Sequence, residues 1–256
     1  MTTPVTISLK VLVKHMILGI CILFSFYSNA DRYQLCGVER PPFVQRSGQS
    51  LTQGLSLDIY REAFSRMGHS FQAVAIPWDK CRAAVISGEM DAMIDGPLDS
   101  GIISSRQATS AYILAVYVRK GFTQHPFTWD RLRGKRLGIL KDYPYSPRVN
   151  AQTGFQRYYA SSHSELIQKL LQVSVNFVLM DMLAAQRVAT QQYGKLKMLK
   201  PISDAGKLYL GFHQKHQNLV KQYDRVITQM DKDGSLDRLY LNYLAYSYRD
   251  VMSWLK

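Results

Sequence analysis

Phe71-Gln-Ala-Val-Ala-Ile76, Pro77-Trp-Asp-Lys-Cys-Arg-Ala-Ala-Val-Ile-Ser-Gly88 and Ala92-Met-Ile-Asp-Gly-Pro97 follow one another with little chain between them. The first run reads as a strand. Pro77-Trp78 starts a helix carrying Cys81, Ala84, Val85 and Ile86, and Gly88 stops it. The third run is a short buried strand ended by Asp95-Gly96-Pro97. Short strands that alternate with helices define an α/β protein with largely parallel sheets.

The same alternation extends in both directions. Tyr33-Gln-Leu-Cys36 reads as a strand broken by Gly37 and Pro41-Pro42. Gly54 opens a helix whose apolar positions Ile59, Tyr60, Ala63, Phe64 and Met67 keep the 3.6 period, with Gly68 at the C′ position. Downstream, Ala111–Arg119, Arg136–Leu140, Val175–Met180 and Leu208–Phe212 read as strands. Leu166, Ile167, Leu170 and Leu171 mark a short amphipathic helix. Leu219, Val220, Tyr223, Val226, Ile227 and Met230 form the clearest helical stripe, ended by Asp233-Gly234. Leu236, Leu239, Tyr240, Tyr243 and Leu244 belong to a last helix.

With 256 residues the chain has room for one large domain or two small ones, at roughly 150 residues each. Hydrophobic residues make up 46% and charged residues 20%, which supports a core and excludes a disordered chain. Ordinary numbers of Pro (9) and Gly (16) exclude collagen-like or linker-dominated sequences. The net charge of +13 needs an account.

The N-terminal region lies outside this pattern. Residues 1–30 contain no acid; Lys10, Lys14 and His15 precede an apolar run from Met16 to Tyr27, and Ser28-Asn29-Ala30 follows. A basic segment, a short apolar core and small residues predict a secretory signal peptide, cleaved after Ala30. The run is shorter than the roughly 20 residues of a membrane span. Cleavage lowers the charge from +13 to +11 and leaves Cys36 and Cys81 as the cysteines of the mature chain. An exported chain with two cysteines invites a disulfide, against the alternative of two buried thiols. The expected location is the periplasm, where a basic protein meets little nucleic acid, so no nucleic-acid partner is expected. The dense cluster Arg131, Arg133, Lys135 and Arg136 reads as a solvated face or an attraction to anionic envelope surfaces.

Enzyme signatures are missing: there is no Gly-x-Ser-x-Gly elbow, no phosphate-cradling loop and no His-Glu-x-x-His. His213 and His216 lack a carboxylate or third histidine close in sequence and read as exposed turn residues, so no metal and no cofactor are expected. Phe43, Trp78, Asp95, Asp142 and Asp181 stand at strand ends or loop starts, where ligands bind in open α/β sheets. Aromatic plates with a few charges suit a small polar or zwitterionic molecule.

The order of segments resembles the family 3 extracellular solute-binding proteins of polar amino-acid ABC importers. The resemblance is carried by Pro41-Pro42-Phe43, Gly54-Leu-Ser-Leu-Asp58-Ile, Trp78-x-x-Cys81, Gly88-Glu-Met-Asp91-Ala, and Ser105-Arg106 before Ser110-Ala-Tyr112. Leu132-Arg-Gly134-Lys-Arg-Leu-Gly138, Phe177-Val-Leu-Met-Asp181 and Asp233-Gly234-Ser-Leu complete it. It implies a type II periplasmic binding protein fold: two α/β lobes of mixed, mostly parallel sheets, joined by a double crossover. The crossovers are expected near Ser110–Tyr112 and Gly206, giving one lobe from 31–110 plus 207–256 and the other from 111–206. Ligand closes the cleft between the lobes.

By the same resemblance Phe43 and Trp78 are aromatic walls, Arg106 meets a ligand carboxylate, and Asp181 receives a ligand amino group. A guanidinium suits the carboxylate because its planar fork binds two oxygens. Where the family carries Gly-Thr/Ser, this chain has Lys141-Asp-Tyr-Pro-Tyr-Ser146, so Asp142 and Tyr143 enter the expected site. The expected partners are a small-molecule ligand and an ABC permease or membrane receptor, with the chain a monomer. The alternatives are an enzyme on the same fold, dehydratase-like with Asp95 or Asp142 as the acid, and a sensor module that presents ligand to a receptor.

Overall fold

The structure, a computed structural model, describes residues 31–122, 126–141, 143, 145–189 and 193–255. The expected signal peptide and Asp142 lie outside the described residues. Among the described residues twelve strands run β1 (Arg32–Gly37), β2 (Gln45–Ser47), β3 (Ser50–Gln53), β4 (Ser70–Ala75), β5 (Ala92–Gly96) and β6 (Ile103–Ser104), then β7 (Ser110–Arg119), β8 (Arg136–Leu140), β9 (Gln156–Ala160), β10 (Phe177–Asp181), β11 (Leu196–Met198) and β12 (Asp204–Phe212). The helices are α1 (Leu55–Arg66), α2 (Trp78–Ser87), α3 (Pro147–Asn150), α4 (His163–Leu171), α5 (Met182–Ala189), α6 (Gln217–Lys232), α7 (Ser235–Tyr243) and α8 (Tyr248–Ser253).

Parallel ladders form the centre of each half: β4-β1-β5 in one, β10-β8-β9 in the other. Antiparallel pairs lie where the halves meet and at the edges. Strand β12 serves both halves. Its residues Asp204–Leu208 pair with Leu114–Ser110 of β7, and Tyr209–Phe212 pair with β5. Gly206 is needed in this stretch, because a Cβ there would sit 2.7 Å from the ring of Tyr112.

Apolar periodicity explains the packing. The stripe Leu219, Val220, Tyr223, Ile227 and Met230 of α6 is buried against α1, α7 and the β1-β5 sheet. On the opposite face of that sheet α2 packs with Cys36, Cys81, Val85, Met93 and Ile102. Cys36 and Cys81 are bonded, 45 positions apart in sequence. Chain entropy makes such a link worth about 4 kcal/mol at most. In the second half, apolar clusters cover both faces of the β7-β10-β8-β9 sheet, as buried parallel strands require.

Three local readings need correction. The chain does not end with the helix over Leu236–Leu244: Leu244 is extended and α8 follows. Ser247 and Asp250 close a reciprocal capping box there, which satisfies two backbone donors at the new helix start. A hairpin, β2-β3, and the helices α3 and α5 were also not evident from periodicity. His213 and His216 are not exposed turn residues: both are half-buried, His213 Nδ1 accepting from the Lys215 N–H at 3.1 Å and His216 Nε2 lying 2.7 Å from Asp91 Oδ1. Arg131, Arg133, Lys135 and Arg136 are exposed, as a solvated face requires.

Candidate functional site

The C-terminal ends of β1, β5 and β10 bring three loops together. The turn after β1 folds back through Val44 N–H to the carbonyl of Arg40, at 3.0 Å. It lays the Arg40 guanidinium 4.0 Å over the ring of Phe43. Arg40 Nη2 donates to Asp95 Oδ2 at 2.8 Å and to Ser110 Oγ at 2.7 Å. Nη1 donates to the Ala111 carbonyl at 3.2 Å and lies 3.6 Å from Asp181 Oδ2. One buried arginine therefore ties together β5, the start of β7 and the end of β10.

The carboxylates are held from their other sides. Asp95 accepts from Ser56 Oγ and Tyr60 Oη, both at 2.7 Å. Its backbone is left-handed, φ 54°, an uncommon state for a residue with a Cβ and one that clusters at functional sites. Asp181 accepts from the Leu183 N–H at 2.9 Å and from Tyr143 Oη at 3.2 Å. Burial pushes the Asp181 carboxyl above its ordinary range, and Arg40 with these donors pulls the other way. For Arg40, burial works against the charge, but Asp95 and Asp181 outweigh it and hold the guanidinium charged. Burial, reinforced by Asp181, raises Tyr143 well above a free phenol, so it stays a donor.

Above the arginine lies a cavity of about 360 Å³. Trp78 and Ile94 wall it from one half, Tyr143 and Tyr145 from the other, with Tyr112 on β7 and Leu208 on β12 between them. Tyr112 donates to Asp204 Oδ2 at 3.3 Å, and the Leu140 N–H donates to Tyr145 Oη at 2.8 Å.

The residues expected in the site are thus distributed unevenly. Trp78, Asp95 and Tyr143 line the cavity. Asp181 lies behind Arg40, and Phe43 lies beneath it, fully buried. Arg106 is elsewhere. Its N–H donates to Asp224 Oδ1 at 2.8 Å, and the residue lines an outer depression against α6 with Lys221 and Arg225. The reason is loop length: Thr109 already bonds Leu208, and β7 begins at Ser110, so the segment cannot reach over the cleft. Arg40 was missed, although a charged residue directly before Pro41-Pro42-Phe43 was its sequence signal. Among the described residues no group of three or more His, Cys, Asp or Glu side chains is placed to hold a metal.

The model of the bacterial extracellular solute-binding proteins, family 3, matches residues 36–246. The chain belongs to this family. No curated protein matches it. Solved structures share the fold of this family 3 protein at low identity. A mutant of ArgBP from T. maritima is 16% identical with a TM-score of 0.65, covering 83% of this chain and 94% of that one. An ancestral arginine-binding protein bound to arginine is 19% identical, TM-score 0.64, covering 83% and 97%. The GluR0 ligand-binding core in complex with L-glutamate is 17% identical, TM-score 0.68, covering 85% and 100%. The fold of the family 3 protein is accordingly the two-lobed type II fold of periplasmic binding proteins. Members of its family are extracellular and bind solutes, and among the described residues no helix is long and apolar enough to cross a membrane.

Proposed function

We propose that this protein captures a small polar, amino-acid-like solute in the cavity over Arg40, returns it unchanged, and delivers it to an ABC permease or a membrane receptor. The observation that carries the reading is the origin of the cavity walls: Trp78 and Ile94 come from one half of the molecule, Tyr143 and Tyr145 from the other. A solute held between them gains contacts only when the halves are closed, and that differential affinity drives closure. The structural neighbours named for arginine and L-glutamate support the amino-acid-like class.

In this reading the lobes are 31–110 plus 207–256 and 111–206, and Trp78, Asp95 and Tyr143 line the ligand site over Phe43, with Asp181 holding Arg40 from behind. The chain acts as a monomer in the periplasm after cleavage behind Ala30, with no catalytic step. The test combines thermal unfolding with solution scattering over a panel of amino acids, amines, organic acids and small aromatics. A true ligand at a hundredfold excess over its Kd contributes about 2.7 kcal/mol. At about 2–4 °C per kcal/mol for a chain of this size, Tm rises by roughly 5–10 °C. The radius of gyration falls at the same time. A thermal shift without compaction would place the solute within one lobe and refute the closure mechanism.

A further inference from the structure

The positive charge in the cleft is part of the chain. Arg40 Nη2 donates to Asp95 and Ser110 and Nη1 donates to the Ala111 carbonyl, while Asp181 Oδ2 faces Nη1 at an ion-pair distance of 3.6 Å. The carboxylates are likewise occupied. Asp95 takes Arg40, Ser56 and Tyr60, while Asp181 takes Arg40, Tyr143 and the Leu183 N–H. An ammonium group brought to either carboxylate would have to displace the guanidinium from a dry site.

A ligand carboxylate meets the same difficulty. Arg40 and Asp95 are the ionic side chains among the described residues that line the cavity, and they are paired with each other. Burying a third carboxylate against a cation already shared by two, Asp95 and Asp181, is costly. What the cavity offers instead is ring surface from Trp78, Tyr112, Tyr143 and Tyr145, with Tyr112 contributed by β7. Faces of this kind stack on planar partners. Ser146, whose hydroxyl donates to Asp204 and accepts from the Val149 N–H, stands at one edge of the wall. The volume of about 360 Å³ equals that of roughly a dozen waters at about 30 Å³ each, enough for a single ring with short substituents.

We propose that the solute is a single-ring aromatic molecule, polar at its edge and without an ammonium group, because Arg40 already stands in the cation's place between Asp95 and Asp181. The inference rests on the solute-binding reading and replaces its amino-acid-like class with another. Three probes on one ring test it by titration calorimetry and scattering on the mature chain: 4-methylphenol, tyramine and L-tyrosine. The expected result is that 4-methylphenol binds at least tenfold tighter than the other two and compacts the molecule. Tighter binding of tyramine or L-tyrosine, or compaction by an aliphatic amino acid with none by 4-methylphenol, overturns the solute class and leaves solute binding standing. If neither the ring probes nor the wider panel compacts the molecule, both readings fall. A second arm uses Arg40→Met, which opens the carboxylates. The folded variant is expected to shift preference toward tyramine by at least tenfold, while Arg40→Lys keeps the wild-type order. An Arg40→Met protein that folds and keeps the wild-type preference overturns the role given to Arg40, and if that variant does not fold, the wild-type probes decide alone.

Discussion

Arg40 is 6% exposed and is held by two carboxylates, a hydroxyl, a carbonyl and an aromatic face. Removing one partner of a buried ionic cluster leaves the others uncompensated, and about 3–5 kcal/mol is the usual cost. Arg40→Met is therefore expected to lose stability on that scale, and the loss should depend on pH. Without the guanidinium, Asp181 loses the strongest downward pull on a carboxyl that burial already pushes up. A carboxyl whose folded pKa lies above its unfolded value binds protons more readily when folded, so folding is favoured as pH falls and disfavoured as pH rises. Denaturant titrations at pH 5 and pH 8 check this: the penalty should be smaller at pH 5, and an equal penalty would mean that Asp181 is not the group left exposed. The sequence did not point to this cluster. It offered Asp95 and Asp181 through their places at strand ends, but a guanidinium's destination depends on the length and path of its loop. Arg106 sits on a short loop against α6 and Arg40 on a turn folded back over Phe43.

Elements with an apolar run or a regular stripe were legible, and short polar ones were not. The α6 stripe and Gly68 after α1, with φ +78°, follow from the 3.6 period and from the ease with which glycine adopts that conformation. The hairpin β2-β3 has three and four residues per strand, too few to show alternation. Helix α8 has six residues, and its signature was the Ser247/Asp250 cap rather than any stripe. Between elements, Asp233 joins three of them. It accepts from Arg66 Nη1 at 2.6 Å, at the end of α1, and from the Ser235 N–H at 2.9 Å, at the start of α7, while itself closing α6. Hydrogen bonds from Ser235 and Arg66 pull its pKa down to about 2. A depressed carboxylate contributes stability that is present above its unfolded pKa and lost as pH falls through the folded one. Asp233→Asn should thus lower Tm at pH 6 and match wild type near pH 2. A gap unchanged across that range would mean that charge plays no part in the joint.

At the scale of the molecule, the halves share more than a tether. Ala111, Ile113 and Leu183 of the second half are buried in the core of the first, and β12 pairs with both sheets along one unbroken strand. Proteins built of separate domains ordinarily depart from two-state unfolding. Here the strand that completes one sheet is continuous with the strand that completes the other, so neither sheet can lose its partner without unzipping the second. Differential scanning calorimetry should record one endotherm with equal calorimetric and van't Hoff enthalpies, and two resolved peaks would show that the strand parts at its midpoint. The shared strand makes the hinge a thermal fuse as well: heat that breaks the connection releases both lobes at once, leaving no half-folded lobe to expose its sheet edge to a neighbouring molecule.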